Sequence, residues 1–221
     1  MITKHLDAQD KSSFNQQLRR KRFAFFLDLF ESIKTGRTIS ILDIGGEENY
    51  WQNMRFFDTH QARITLLNLK KVETRHPNLE SVAGDATRLA EYPDNSFDIV
   101  FSNSCIEHLF TLENQRKMAN EVTRVGRNYY VQTPNLYFPI EPHFIFPFFQ
   151  FFPHTLRVFM ASHMPLGNFP KLNKEAAESV SKEIRLLSEN EMKQLFPDGK
   201  VYREYFGGLK KSVALYNFDN R

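Results

Sequence analysis

Residues 38–49 read T-I-S-I-L-D-I-G-G-E-E-N, a short apolar run closed by an acid and two glycines. Ile39, Ile41, Leu42 and Ile44 give the near-continuous β-branched and aliphatic pattern of a strand buried on both faces, as a parallel sheet covered by helices requires. Asp43 then lies at the carboxyl end of the strand, where open α/β sheets bind ligands. At Gly45-Gly46 the backbone can approach a ligand with no Cβ in the way. In outline this is a cofactor-binding turn, although such turns also arise for steric reasons alone.

Working outward, the rest of the chain repeats the pattern. A helical period in Phe23, Phe26, Leu27, Phe30 and Ile33 predicts an amphipathic helix over 14–33, ended by Thr35-Gly36, with the basic run Arg19-Arg20-Lys21-Arg22 on a solvated face. A crossover helix is expected over 48–57, then a strand ending at Asn68 and a short strand over 79–83 before Gly84-Asp85-Ala86. The strand over 97–101 ends in Ser102-Asn103-Ser104, a helix follows over 112–125, and a fifth strand covers 128–133. Alternation of strand and helix through five strands argues a parallel, doubly wound sheet. Near the end, S-E-N-E from Ser188 to Glu191 is a capping box opening a short helix. K-V-Y-R-E-Y-F and S-V-A-L-Y-N-F follow as two strands joined by too few residues for a crossover helix, and hence antiparallel.

Composition narrows the class. At 221 residues and 41% hydrophobic content the chain is read as one domain spanning 1–221. A net charge of +3 is too weak to imply nucleic acid without a localised patch. A single cysteine, Cys105, excludes an internal disulfide framework and fits a reducing compartment. The first ten residues lack the apolar centre of a signal peptide and no stretch is long enough to span a membrane, so a cytoplasmic protein is expected.

Taken in order, I-L-D-I-G-G, G-D-A, F-D-I-V-F-S-N-S-C-I-E-H-L and T-P-N make the chain resemble the class I S-adenosylmethionine-dependent methyltransferases, in the branch typified by the methyltransferase-11 domain. The resemblance implies a Rossmann-like doubly wound sheet of seven strands, five parallel plus a C-terminal antiparallel pair, with helices on both faces. It also implies S-adenosyl-L-methionine as cofactor. Gly45 and Gly46 would lie under its methionine part near Asp43, and Asn68 would take the ribose position. Asp85 and Ala86 would flank the adenine, while Ser102, Asn103 and Ser104 would line the pocket beneath the transfer site. Two departures stand out: Glu47 replaces a common spaced glycine, and Asn68 replaces an acid, offering the ribose a neutral and weaker acceptor.

The sulfonium already activates the methyl group, so the protein must hold an acceptor in line and, for a hydroxyl or amine, remove a proton. Candidate catalytic residues are His143 and Glu141 after the fifth strand and His108 after the fourth, beside Glu107. These groups read first as braces, Glu107 and His108 at the helix start and His143 in its loop, and next as a general base at His143 or His108. No metal set is assigned, but Glu107, His108 and His143 together resemble the metal-binding pattern of the RNA 3′-terminal 2′-O-methyltransferases, with Ser104 where that family has a further acid. Residues 136–182 form a Phe-rich insertion, broken by prolines, that suits a lid over the acceptor site. It also suits an interfacial wedge for lipid-linked acceptors, helped by Arg157 and Lys171, which would make the protein peripheral to a membrane.

The expected activity is methyl transfer to an oxygen or nitrogen of a small or lipophilic acceptor. The alternatives are an RNA methyltransferase of the same fold and a non-catalytic cofactor- or partner-binding module.

Overall fold

A computed structural model describes residues 14–34 and 36–218, with side chains from residue 17 onward. Thr35 and the first ten residues, on which two of the expectations above rest, lie outside the described residues. In chain order the strands are β1 (Ile39–Ile44), β2 (Ala62–Asn68), β3 (Leu79–Ala83), β4 (Phe97–Asn103), β5 (Gly126–Pro134), β6 (Ile140–Glu141), β7 (Phe146–Pro147), β8 (Lys200–Phe206) and β9 (Leu209–Tyr216). The helices are α1 (Phe14–Ser32), α2 (Glu48–Asn53), α3 (Leu112–Val125), α4 (His154–His163), α5 (Lys174–Glu183) and α6 (Glu189–Leu195).

Seven strands form one sheet in the order β3-β2-β1-β4-β5-β9-β8, and β6 and β7 pair separately. The first five are parallel, while β9 is antiparallel to both of its neighbours, β5 and β8. It follows that β8 points the same way as the first five strands and β9 alone is reversed. Two Gly residues, Gly207 and Gly208, both at positive φ, make the tight reversal between β8 and β9.

Strands β1 and β4 sit at the centre and are buried on both faces, which is why they read as unbroken apolar runs. On one face, Phe23, Phe26 and Phe30 of α1 pack with Trp51, Phe56, Phe101 and Tyr130. Burying each such ring stabilises the fold by about 1.5–3 kcal/mol. On the other, Met118 and Val122 of α3 and Met192 of α6 cover Leu42, Ile44, Val100 and Val131. A third, separate core lies between β5 and α6, built from Phe144, Phe149, Val158, Phe169 and Ala177 among others.

Three expectations need correction. The connections 69–78 and 84–96 contain no helix, so strand and helix do not alternate throughout. The connection 84–96 instead covers the sheet with Ala86, Leu89 and Tyr92, held to α3 by hydrogen bonds of Arg124 to Leu89 O and Tyr92 O. The crossover after β1 is split into α2 and a single 3₁₀ turn, Phe56–Asp58, because Arg55 adopts a left-handed conformation between them. Arg22 is not on a solvated face: it is buried and reaches Glu204 (3.4 Å) and Ser212 (3.3 Å), tying α1 to the β8–β9 hairpin. The capping box at Ser188 and Glu191 is present as expected.

Candidate functional site

The turn after β1 is held by the side chains around it. Gly45 has φ of +76°, and its N–H donates to Leu67 O at 2.8 Å. A Cβ on Gly45 would stand 2.7 Å from Cys105 Sγ, and one on Gly46 would stand 1.8 Å from Asp43 Oδ2. The Asp43 carboxylate therefore occupies the space a side chain at 46 would need. It is buried, and Trp51 Nε1 donates to it at 2.8 Å. Asn68 Nδ2 donates to Gly46 O at 2.9 Å. One N–H of the Asn68 amide thus braces the turn, and its carbonyl oxygen can accept from a ribose hydroxyl.

The register Ile44↔Ser102, Ile44↔Leu67, Asn68↔Ala83 and Asn103↔Gln132 brings the carboxyl ends of β1 to β5 to one edge. Along that edge the expected residues divide. Asp85 is exposed, with Oδ1 accepting from Thr87 N and Thr87 Oγ1, both at 2.8 Å. Ala86 packs into the core with Leu89 and Ile106. Ser102 is wholly buried and its hydroxyl donates to Ile44 O at 3.2 Å, so it stitches β4 to β1. Asn103 is half-buried at the strand end. Ser104, at φ of +55°, turns the chain and is fixed by Gln132 through its N–H (3.1 Å) and its hydroxyl (3.0 Å).

Beyond Ser104, Cys105 lies against Gly45 and opens a 3₁₀ turn, Ile106–His108. Glu107 is fully buried in this turn. Thr133 Oγ1 donates to its Oε2 at 3.1 Å, while Oε1 has no hydrogen-bond partner among the described residues. Leaving a buried polar atom unpaired costs about 1–3 kcal/mol, more for a charged group. From the far side, the end of α5 comes back to the turn: Arg185 N donates to Glu107 O at 2.8 Å, and Gln115 Nε2 bridges Ile106 O and Arg185 O.

Here the structure brings together His108 and His143, whose rings meet edge to face with centroids 4.9 Å apart. His108 Nδ1 lies 3.1 Å from Glu183 Oε1, and His143 Nδ1 lies 2.6 Å from Glu141 Oε1. The other oxygen of Glu141 accepts from the backbone N–H of His143 (2.8 Å) and Phe144 (2.6 Å). Both oxygens of Glu141 are thus engaged, one of them by the ring of His143. An ionised carboxylate only accepts, so Nδ1 of each ring carries hydrogen and Nε2 of a neutral ring keeps its lone pair. Burial by itself would lower the pKa of His143, but the hydrogen bond to Glu141 and the charges of Glu141, Glu107 and Glu183 prevail and raise it. The hydrogen bond from His108, opposed by burial, holds the Glu183 carboxyl below its ordinary value. One ligand atom each from Glu107, His108 and His143 fall within 4.8 Å of one another.

Glu183 and Thr133 escape sequence reasoning. Glu183 lies 75 positions from His108 with no local motif around it. Thr133 is part of T-P-N, but nothing in the sequence aims its hydroxyl at Glu107.

The sheet order is that of the class I methyltransferase fold. In agreement, residues 36–128 match the family described as a methyltransferase domain. An uncharacterized protein of Mycobacterium tuberculosis (strain ATCC 25618 / H37Rv) is 33% identical over 75 residues, which is 34% of this chain and 25% of that protein. The match thus spans about a quarter of that relative's length. Among solved structures, the PH0226 protein of Pyrococcus horikoshii OT3 aligns with a TM-score of 0.54 at 14% identity, covering 95% of this chain and 92% of that one. A candidate methyltransferase from an antibiotic biosynthesis pathway of Anabaena variabilis aligns with a TM-score of 0.51 at 18% identity, covering 85% and 67%. At these identities the likeness is one of fold. No helix among the described residues is long and apolar enough to cross a membrane.

Proposed function

We propose that the chain is an S-adenosylmethionine-dependent methyltransferase acting on an oxygen or nitrogen of a small or lipophilic acceptor. The observation that carries this reading is the junction at Cys105, where the glycine turn and the histidine pair share one sheet edge. In this reading Asp43, Gly45, Gly46, the Asn68 carbonyl, Asp85, Ala86, Asn103 and Ser104 hold the cofactor. The sulfonium then needs only an acceptor aligned with its methyl carbon. Nε2 of His143 or His108 takes the acceptor proton, and Glu141 and Glu183 keep those rings in the required tautomer. Residues 136–182 lie over this corner as a lid. Tyr137, Ile140, Phe148, Phe151 and Phe159 are large apolar side chains left exposed there, which favours a lipophilic or lipid-linked acceptor and contact with a membrane surface.

Calorimetric titration with S-adenosylhomocysteine tests the first half. Wild-type protein should bind in the micromolar range, and Asp85→Ala, an exposed change that removes two bonds from Thr87, should weaken binding with only a small drop in the thermal midpoint. Absence of binding at millimolar ligand would overturn the reading. An acceptor screen with a tritiated methyl donor, comparing water-soluble with lipid-linked hydroxyl and amine compounds, tests the second half.

A further inference from the structure

Arg157, in the first turn of α4, is a sheltered charge without a counter-charge. Three other sheltered arginines each meet a carboxylate: Arg22 meets Glu204, Arg124 meets Glu121 and Arg185 meets Glu191. Arg157 is half-buried as well, but its Nε is wholly buried with no hydrogen-bond partner among the described residues. No carboxylate of the described residues stands within ion-pair distance of it. Its own helix offers no relief. The first turn of α4 contains no acid, and a cation at that end of a helix is opposed by the macrodipole. A guanidinium cannot shed its proton to escape, so the chain carries a standing cost at this position.

The position lies beside the histidine pair. Val158 and Ala161 of α4 pack with Phe144 and Phe149, and Phe144 directly follows His143. Burial lowers the Arg157 pKa, and the influence opposing it is the charge of Glu141, the carboxylate that holds the His143 ring. Glu141 does not neutralise Arg157 by contact, since its oxygens are taken by the ring and the N–H of His143 and by the N–H of Phe144. Around Arg157 the same segment leaves Phe148, Phe151, Leu156 and Phe159 exposed. The surroundings thus suit an occupant with an anionic end and an apolar body.

We propose that Arg157 sets acceptor specificity: its guanidinium receives a carboxylate or phosphate group of an acceptor whose remaining body is apolar. The planar fork of donors matches either oxyanion with two parallel hydrogen bonds. The anion site stands on Arg157 and its surroundings. That its occupant is the methyl acceptor rests on the methyl-transfer reading, which it narrows from lipophilic compounds in general to anionic amphiphiles. The hydroxyl or amine to be methylated then lies near the anionic end, where His143 can reach it, and a neutral lipid lacks the group that anchors it.

Full-length protein saturated with S-adenosylhomocysteine is titrated calorimetrically with octyl phosphate, octanoate and, as neutral control, octyl glucoside, each below its micelle concentration. Octyl phosphate or octanoate should bind at least about tenfold more tightly than octyl glucoside. Arg157→Met keeps an apolar stem and should erase that preference, while Arg157→Lys keeps the charge, loses the fork and should forfeit most of it. Neither change should alter affinity for octyl glucoside or S-adenosylhomocysteine. Removing an unpaired sheltered charge should leave the thermal midpoint of Arg157→Met level or higher. Equal wild-type affinity for the anionic and neutral compounds, or an intact preference in Arg157→Met, would overturn the proposal. Should Arg157→Met not fold, an intact preference in Arg157→Lys overturns it instead. Phosphatidylcholine vesicles with and without phosphatidic acid separate two sources of the anion. Sedimentation that needs both phosphatidic acid and Arg157 assigns it to a lipid headgroup, and octyl phosphate binding without such sedimentation assigns it to a soluble acceptor. If S-adenosylhomocysteine does not bind, the methyl-transfer reading falls, and the same comparison on ligand-free protein still decides the anion site.

Discussion

Strand β4 carries a buried carboxylate near each end, and the two are finished differently. At the amino end Asp98 accepts from Arg37 Nη1 (2.8 Å) and Nη2 (2.5 Å), and from the N–H (2.9 Å) and hydroxyl (3.0 Å) of Ser40. Just past the carboxyl end Glu107 accepts one hydrogen bond, from Thr133, and its second oxygen has no partner among the described residues. Both carboxylates are buried, but Asp98 accepts on both oxygens and Glu107 on one among the described residues. The amino edge of the sheet is built for stability, and the carboxyl edge gives up some stability to keep polar atoms available, as expected where parallel sheets bind ligands.

The comparison breaks first if the carboxyl edge proves merely loose, and Gly46→Ala asks that directly. The new methyl group would overlap the Asp43 carboxylate, which Trp51 holds in place, so Asp43 must leave its hydrogen bond and its buried position. Overpacking and a displaced buried anion together predict a loss of about 3 kcal/mol or more in urea unfolding. A loss under about 1 kcal/mol would mean the turn yields easily and has no fixed shape to offer a ligand.

Asp98→Asn is the next largest. It removes the charge from a buried carboxylate held bidentately by an exposed Arg37 but keeps one acceptor oxygen, and Arg37 can turn to water, so a loss of about 1–2 kcal/mol at pH 7 is expected. Acid sharpens this. Burial pushes the Asp98 carboxyl up, but the hydrogen bonds from Arg37 and Ser40 and the Arg37 charge win and hold it below its ordinary value of 3.8. A carboxyl depressed by folding contributes stability above its unfolded pKa, and the contribution is lost as pH falls through the folded value. The difference between wild type and Asp98→Asn should therefore stay level from pH 7 to about pH 4 and shrink below it. Urea midpoints at pH 7, 5 and 3 check the sign, and a difference that widens in acid would contradict it.

How much of this was legible in the sequence follows from what each contact depends on. The central strands were, because burial on both faces forces unbroken apolar runs such as I-S-I-L-D-I and F-D-I-V-F. The helix 112–125 and the capping box at Ser188 were, because period and caps are local signals. Direction within the C-terminal hairpin was legible, but the insertion of β9 between β5 and β8 was not, since either strand could have paired with β5. At the site, residue types pointed to Glu107, His108, Glu141 and His143, and the structure assigns them unlike surroundings: Glu141 with its lone pairs engaged, Glu107 half-satisfied. That distinction depends on Thr133, Glu183 and the backbone of 143–144, which meet only in the folded chain.

The smallest effect is the most telling. Glu107→Gln keeps the side chain's length and an oxygen to pair with Thr133 Oγ1. Were Glu107 a stability group like Asp98, the change would cost a similar amount. If instead its unpaired oxygen is held for a ligand, neutralising it should shift stability by less than about 1 kcal/mol, or raise it. Unfolding in EDTA measures this with no ligand to mask the difference. A loss near that of Asp98→Asn would mean both ends of β4 are built for stability alone, and the contrast between the two edges would go with it.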